Sequence, residues 1–334
     1  MQQYFTWKTI LITGGTGFLG YALTKEILKQ NPHSIRIYSR DEVKHFKMQR
    51  DFGNNPIIRH LIWDIRDKDR LLKAMNGVDY VIHAAALKRL DILEYNTEES
   101  VKTNIIGTLN LVAAANEAWV KKVVFISTDK SCSPINTYGG CKFVSERIIT
   151  ESNYSNGTNG TIFLSVRYGN VVNSTGSIVP ILQEKIRNNQ DFQLTDERMT
   201  RFLITEEDAI KFIFDAFEFG IGWEVIVPKL DSCKVTVLMD AIKQVNNYTC
   251  EIKNIWLRPG EKIHEYMINE IEWSRVVFYK NIIQSLIQEY KYDINLPIYL
   301  QNGERVVMWD YSSENSLINV DELIHKFGEY LKVK

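Results

Sequence analysis

The chain has 334 residues, with 40 Lys and Arg against 41 Asp and Glu, for a formal charge of −1. That length exceeds one ordinary core, and a composition 45% hydrophobic and 24% charged is that of a folded globular protein, which excludes a disordered chain. Charge balance excludes a long cationic footprint for nucleic acid. No apolar run reaches the ~18–20 residues of a membrane span, so no membrane partner is expected either. The opening MQQYFTWKTILITGG has no signal-peptide pattern, and a cytoplasmic protein is expected. Cys132, Cys141, Cys233 and Cys250 form no CxxC pair and have no companion histidine cluster, so reduced thiols and no metal site are expected.

Strand patterns fall at Thr9–Thr13, Ile35–Tyr38, Ile58–Trp63, Tyr80–His83 and Val123–Ser127. Helical patterns lie between them, at Ala22–Lys29, Asp69–Met75 and Glu99–Glu117. Strands separated by helices of this length predict a parallel sheet built through right-handed crossovers. The polar stretch Asn153–Gly160 reads as a surface loop before a further strand, Ile162–Val166. Beyond Asn170 the alternation becomes irregular, which predicts a smaller α+β unit fed by several excursions of the chain.

Thr13-Gly14-Gly15-Thr16-Gly17-Phe18-Leu19-Gly20 follows the first strand and opens the first helix. Two glycine frames fit, Gly14/Gly17/Gly20 and Gly15/Gly17/Gly20. Either gives a tight turn, close backbone approach to a pyrophosphate and tight helix–strand packing, with free N–H groups at the positive helix end. A dinucleotide site is expected there. At the end of the second strand, a carboxylate would grip the ribose 2′-hydroxyl of NAD, whereas an arginine accommodates the 2′-phosphate of NADP. The stretch reads Tyr38-Ser39-Arg40-Asp41, so Ser39 and Arg40 point to NADP, with Asp41 keeping NAD as the alternative. Asp64, ending the third strand with Ile65 after it, is placed to accept a hydrogen bond from the adenine amino group.

The fifth strand ends in Ser127-Thr128-Asp129-Lys130, and Tyr138-Gly139-Gly140-Cys141-Lys142 opens the next helix. Tyr138 and Lys142, four apart, share a helix face. A nearby ammonium lowers a phenol's pKa, which suits Tyr138 to act as a general base toward a sugar hydroxyl, with Lys142 also holding the nicotinamide ribose.

These two motifs together resemble the extended short-chain dehydrogenases/reductases. More narrowly, the chain resembles the bacterial UDP-N-acetylglucosamine 4,6-dehydratases of the configuration-inverting type. The matching segments run from end to end: YSRDE (38–42), HAAALK (83–88), EYN (94–96), TNIIGTLN (103–110), STDK (127–130), PINTYGGCK (134–142), VRYGNVV (166–172), MTRF (199–202), VPK (227–229), RPGEKIHE (258–265) and DYSSENS (310–316). STDK and RPGEK are the specific ones, because simple sugar epimerases do not usually carry an Asp-Lys pair there. The chain departs from the family at Cys141, usually Thr, at Thr175, usually Arg, and at Arg89-Leu90-Asp91.

The resemblance implies a doubly wound Rossmann sheet with a smaller α+β substrate-binding domain. The divisions are 1–170, joined by 202–227, for the NADP-binding domain, and 171–201 with 228–334 for the nucleotide-sugar-binding domain. It implies that Ala84, Ala85, Lys88 and Asn104 join the cofactor set, with Lys88 and Asn104 shaping the core around the catalytic helix as the alternative. Asn170, Arg201 and Arg258 would contact UDP, Glu261 its ribose, and Lys88 and Arg167 complete the outer set. His83 and His264 read as structural. It also implies a homo-oligomer, dimeric or larger.

The chemistry expected is an internal redox cycle. Tyr138 takes the O4 proton while NADP+ takes the C4 hydride, which makes the C5 hydrogen α to a ketone. Lys130 then abstracts the C5 proton and Asp129 protonates the leaving O6 hydroxyl, the two roles being exchangeable in a coupled pair. Thr128 orients O4. NADP stays bound and is regenerated each turn. The alternatives are C5-retaining dehydration of UDP-N-acetylglucosamine or UDP-glucose, a nucleotide-sugar 4-epimerase, and a nicotinamide-bound sensor or scaffold without catalysis.

Overall fold

The computed structural model describes residues 3–156, 160–273, 276–279, 282–286, 304–305 and 311–333. Its first half alternates strand and helix: β1 Thr9–Thr13, α1 Phe18–Leu28, β2 Ser34–Ser39, α2 Glu42–Asp51, β3 Ile58–Ile62, α3 Lys68–Met75 and β4 Tyr80–His83. Short helices α4 Leu90–Leu93 and α5 Thr97–Ser100 lead through a π-helical turn, Val101–Ile106, into α6 Gly107–Glu117. Then come β5 Lys122–Ile126, α7 Thr137–Ser155 and β6 Ile162–Val166. The six strands pair in parallel in the order 3-2-1-4-5-6, the doubly wound dinucleotide-binding arrangement.

Strand periodicity divides the core into two layers. Ile10 and Ile12 of β1 pack with Leu23 and Ile27 of α1, whereas Leu11 between them packs with Leu71, Leu111 and Ala114 on the other face. All five β1 residues are buried, as a parallel strand covered on both faces requires.

The second half contains β7 Asn170–Val171, α8 Ile178–Arg187, β8 Phe192–Leu194, β9 Thr200–Ile204, α9 Glu206–Phe219 and β10 Glu224–Pro228. After these come β11 Ser232–Lys234, α10 Val235–Val245, β12 Ile252–Asn254 and β13 Tyr266–Ile268. The last elements are β14 Val276–Tyr279, β15 Ile282–Leu286, β16 Glu304–Arg305, β17 Tyr311–Ser312 and α11 Val320–Leu331. Within the expected return segment 202–227, residues 202–204 belong to β9 in a separate sheet with β7 and β11, whereas β10 pairs in parallel with β6 of the main sheet and α9 packs Phe214 and Phe217 against Phe5. Two strands from the segment expected in the smaller unit, β14 and β15, instead extend that same sheet antiparallel beyond β10. A separate core of Val179, Leu182, Phe192, Leu238, Met239 and Phe327 holds the smaller unit together.

The stretch 153–160 differs from the expected loop: Asn153–Ser155 are the last turn of α7, and residues 157–159 lie outside the described residues. Asn153 explains this, because its amide exchanges two hydrogen bonds with Phe163 of β6 (2.8 and 2.9 Å) and so fastens the helix end to the sheet. Asp310 of the DYSSENS segment also lies outside the described residues. Among the described residues no helix is long and apolar enough to cross a membrane.

Candidate active site

A cleft of about 1080 Å³ opens at the C-terminal ends of the parallel strands, between the sheet and the smaller unit. This is where the strand order reverses and where open α/β sheets bind their ligands. The glycine turn forms its floor, with Gly14, Thr16, Gly17, Phe18, Leu19 and Gly20 all on the wall. Gly14 has φ +66°, and a Cβ there would lie 2.9 Å from the Ala85 backbone nitrogen, so only glycine lets this turn close against the β4 loop. Gly17 begins α1 with no side-chain cap, which leaves the helix's first N–H groups for a ligand.

At the end of β2, Ser39, Arg40 and Asp41 also line the cleft. The Ser39 hydroxyl links to the Thr16 hydroxyl (2.7 Å) and to His45 Nε2 (2.9 Å), and His45 in turn links to His60 (2.9 Å). Asp41 is spent locally: it caps α2 by accepting from Lys44 N (3.1 Å) and pairs with Lys44 Nζ (3.2 Å). Arg40 remains exposed, its only ion pair a 3.6 Å contact with Asp64 among the described residues. Asp64 stands behind the wall, bound bidentately by Arg66 (2.9 and 2.7 Å), while Ile65 reaches the cleft itself. Ala84, Ala85 and Lys88 complete this side. Asn104 does not reach it. Its buried amide accepts from Leu87 N (2.9 Å) and donates to Leu87 O (3.0 Å), so it shapes the loop that carries those residues.

The chemical end is a chain of hydrogen bonds. Thr128 Oγ1 donates to Asp129 Oδ1 (2.9 Å), which also accepts from Lys130 Nζ (2.9 Å), and Lys130 Nζ donates to Asn170 Oδ1 (3.2 Å). Tyr138 hydrogen-bonds Thr128. Asp129 is fully buried and its other oxygen, Oδ2, has no hydrogen-bond partner among the described residues, an expensive arrangement for a carboxylate with no ligand to serve. Helix α7 presses directly on this loop, for a Cβ on Gly139 would lie 2.3 Å from the Lys130 carbonyl oxygen. The start of α7 is fixed by Asn136, which caps Gly139 N (2.7 Å) and donates to Gly260 O (2.8 Å), and by Glu94, which accepts from Thr137 N (2.7 Å).

Burial pushes the Tyr138 phenol up to about 12, against the lowering pull of Lys130 and Thr128. The neighbouring cation is thus Lys130, whereas the sequence pointed to Lys142. Lys142 Nζ turns to the sheet, donating to Ile126 O (2.7 Å) and lying 4.3 Å from the Phe125 ring centroid. Burial brings Lys142 down to about 7. Lys130 is half-buried, yet Asp129 and Glu265 raise it above the usual lysine range.

Asn170, Arg201, Arg258 and Glu261 line the outer cleft, with Thr175 at its rim. Arg201 is oriented by Thr200 O (2.7 Å) and Ile263 O (3.1 Å), and Glu261 accepts from Arg258 N (3.2 Å). Arg167 is elsewhere: fully buried, it bonds Glu146 (3.1 and 2.7 Å), Glu272 (2.9 and 3.0 Å) and Met267 O (2.6 Å), and leaves nothing for a substrate. Cys141 faces Ser100 (3.4 Å) behind α7, so that departure from the family does not alter the cleft wall. His83 is clamped between Thr13 (2.8 Å) and Thr108 (3.1 Å).

Two further residues were not singled out by sequence. Ser177 begins α8 on the cleft wall with a buried hydroxyl that has no partner. Glu265 ends the RPGEKIHE segment 3.7 Å from Lys130 Nζ. A serine before an apolar helix signals the first in principle. Nothing local signals the second.

This fold and cleft define an extended short-chain dehydrogenase/reductase architecture with a dinucleotide site at the switch point. The chain belongs to the polysaccharide biosynthesis protein family, whose model matches residues 10–286. It is 41% identical over 321 residues to UDP-N-acetylglucosamine 4,6-dehydratase (inverting) of Campylobacter jejuni subsp. jejuni serotype O:23/36 (strain 81-176), covering 93% of this chain and 94% of that one. It is 36% identical to a UDP-glucose 4-epimerase of Rickettsia bellii (strain RML369-C), covering 96% of this chain and 95% of that one. Among solved structures it matches Pen from Bacillus thuringiensis with TM-score 0.90 and 35% identity, over 98% of this chain and 100% of that one.

Proposed function

We propose that the protein removes water across C5 and C6 of UDP-N-acetylglucosamine and inverts C5, giving UDP-2-acetamido-2,6-dideoxy-L-arabino-hex-4-ulose. The observation that carries this reading is the buried Asp129–Lys130 pair, which shares the cleft end with Tyr138. A 4-epimerase, the reading favoured by the Rickettsia relative, needs Thr128, Tyr138 and Lys142 but has no use for a second acid–base pair.

The cofactor side fits NADP: a glycine cradle, an uncapped helix start, and Arg40 exposed where Asp41 is already committed to α2. Thr16, Ser39 and Arg40 would hold the 2′-phosphate, and Lys142 the nicotinamide ribose. When bound, the oxidised cofactor supplies a positive ring and a reversible acceptor for the C4 hydrogen, returned at C6. Tyr138, entering the step as its phenolate, receives the O4 proton, and Thr128, fixed by its hydrogen bond to Asp129, holds the phenol in place. The resulting 4-ketone acidifies the C5 hydrogen. Asp129 and Lys130 then work as one unit, a carboxylate that accepts the C5 proton and an ammonium that protonates the departing O6 hydroxyl. The assignment expected from sequence has these roles reversed, and differs from this one by a single proton transfer along the 2.9 Å Asp129–Lys130 bond. Two adjacent carboxylates favour the ion-pair form.

Arg201 and Arg258, with the free first turn of α8 at Ser177, form the diphosphate end, and Glu261 the ribose end. The exposed apolar side chains Ile106, Leu109 and Val144 on the π turn, α6 and α7 suit a homo-oligomer contact through these helices. Incubation with UDP-N-acetylglucosamine and no added cofactor tests the reading by mass spectrometry. Loss of one water from the sugar nucleotide supports it, and an isomer of unchanged mass supports the epimerase.

A further inference from the structure

We propose that Glu265 is a positioning residue for the elimination step: its buried carboxylate completes a two-carboxylate seat that holds Lys130 as an ammonium ion beside Asp129. The inference rests on the dehydratase reading above and adds to it a group that the cycle does not otherwise use.

The contrast with the other buried carboxylates carries the argument. Glu146 and Glu272 are satisfied, each taking two hydrogen bonds from Arg167. Glu265 is equally buried, yet among the described residues its Oε2 makes no hydrogen bond. Lys262 Nζ stands 3.6 Å from that oxygen but spends its hydrogen bond on Cys132 O (2.6 Å). The other oxygen, Oε1, lies 3.7 Å from Lys130 Nζ, too far for a hydrogen bond and close enough for a strong charge effect in a dry site. A buried carboxylate met by two ammonium groups at 3.6 and 3.7 Å, with a hydrogen bond from neither, acts on them through charge, and Lys130 is one of the two.

The backbone holds it there firmly. Glu265 N donates to Ser313 Oγ (2.9 Å), Ser313 N donates to Glu265 O (2.8 Å), and the Ser313 hydroxyl shares a 2.6 Å hydrogen bond with Thr200, the neighbour of Arg201. Glu265 is thereby tied to the strand that carries the outer cleft.

The charged and titratable groups facing Lys130 are Asp129 on its own loop, Tyr138 on α7, Arg201 on β9, Lys88 after β4, and Glu265. Two carboxylates thus balance two cations. Without Glu265 the cations weigh more and the Lys130 proton is held less firmly, which brings the loss of the O6 donor to lower pH.

The test uses Glu265→Gln, of the same shape without charge, and Glu265→Asp, which keeps the charge, on the full chain with its cofactor. Water loss from UDP-N-acetylglucosamine is followed across pH. In parallel, the labelling of Lys130 by acetic anhydride is mapped by peptide mass spectrometry. For Glu265→Gln, KM should stay within about two-fold, the alkaline limb of kcat should move to lower pH by roughly one unit, so that kcat on that limb falls by up to about ten-fold, and Lys130 should label at lower pH by the same amount. Glu265→Asp should restore part of each. Wild-type kcat, pH profile and labelling in Glu265→Gln overturn the proposal, and so does lost activity with unmoved Lys130 labelling. If Glu265→Gln does not fold, Glu265→Ala takes its place in the same readouts, and an unmoved pH limb and labelling there overturn the proposal. A wild-type protein that leaves the sugar untouched defeats the dehydratase reading instead, and the labelling still decides the seat.

Discussion

Lys142 and Ile126 are joined by a 2.7 Å hydrogen bond from ammonium to carbonyl, which fixes the lysine against the end of β5 and not against the Tyr138 ring. Burial lowers Lys142 from 10.5 to about 7, whereas the unfolded chain keeps the ordinary value. Between those two values the unfolded state binds more protons, so stability rises with pH across that window, and below about pH 7 the full cost of a buried charge is present. Urea unfolding of cofactor-free protein should show this rise. Lys142→Met should remove that part of the slope and gain most over wild type at the acid end.

In the dehydratase reading Tyr138 is the group that accepts the O4 proton. Tyr138→Phe should lower kcat by about 10²–10⁴-fold. Cofactor affinity, measured by fluorescence titration, should change little, because the glycine turn and Arg40 stand at the other end of the cleft. An equal loss of affinity would mean that the ring holds cofactor instead.

In the NADP reading Arg40 is the cation that meets the 2′-phosphate. Arg40→Ala should weaken NADP binding by about ten-fold or more and NAD binding far less, as read by calorimetric titration of both nucleotides. Equal weakening of both would remove the case for NADP.

Arg167 neutralises two buried glutamates that come from α7 and from the chain after β13. Arg167→Met should destabilise the fold by about 3–5 kcal/mol in chemical denaturation, since Glu146 and Glu272 are left as uncompensated buried charges. A loss below ~1 kcal/mol would show that water or rearrangement serves them.

The parallel core was legible in the sequence because its signals are local. Thr9–Thr13 and Ile162–Val166 are short apolar runs between turn residues, and their bounds coincide with β1 and β6. Residues 99–117 read as one helix from their apolar spacing, but the chain there passes through α5, a π turn and α6. In that turn the Asn104 carbonyl accepts from both Thr108 (2.6 Å) and Ser145 (2.8 Å), a tertiary demand that no period shows. Strands of two or three residues such as β7 and β12 exist only through their partners β9 and β8, and so left no pattern to read. Within the site, Tyr138 and Lys142 were legible because one helix carries both. Arg167 was misplaced toward the substrate since its two glutamates are distant in sequence, and Glu265 meets Lys130 only once the smaller unit has folded onto the sheet.

An Asp129–Lys130 pair that eliminates water after a transient oxidation at C4 leaves its mark on the product. NMR of the purified protein with UDP-N-acetylglucosamine in D2O and no added cofactor should show a new 6-deoxy methyl signal, deuterium at C5 and the inverted C5 configuration. A C4 epimer whose C6 hydroxyl is intact would contradict that elimination.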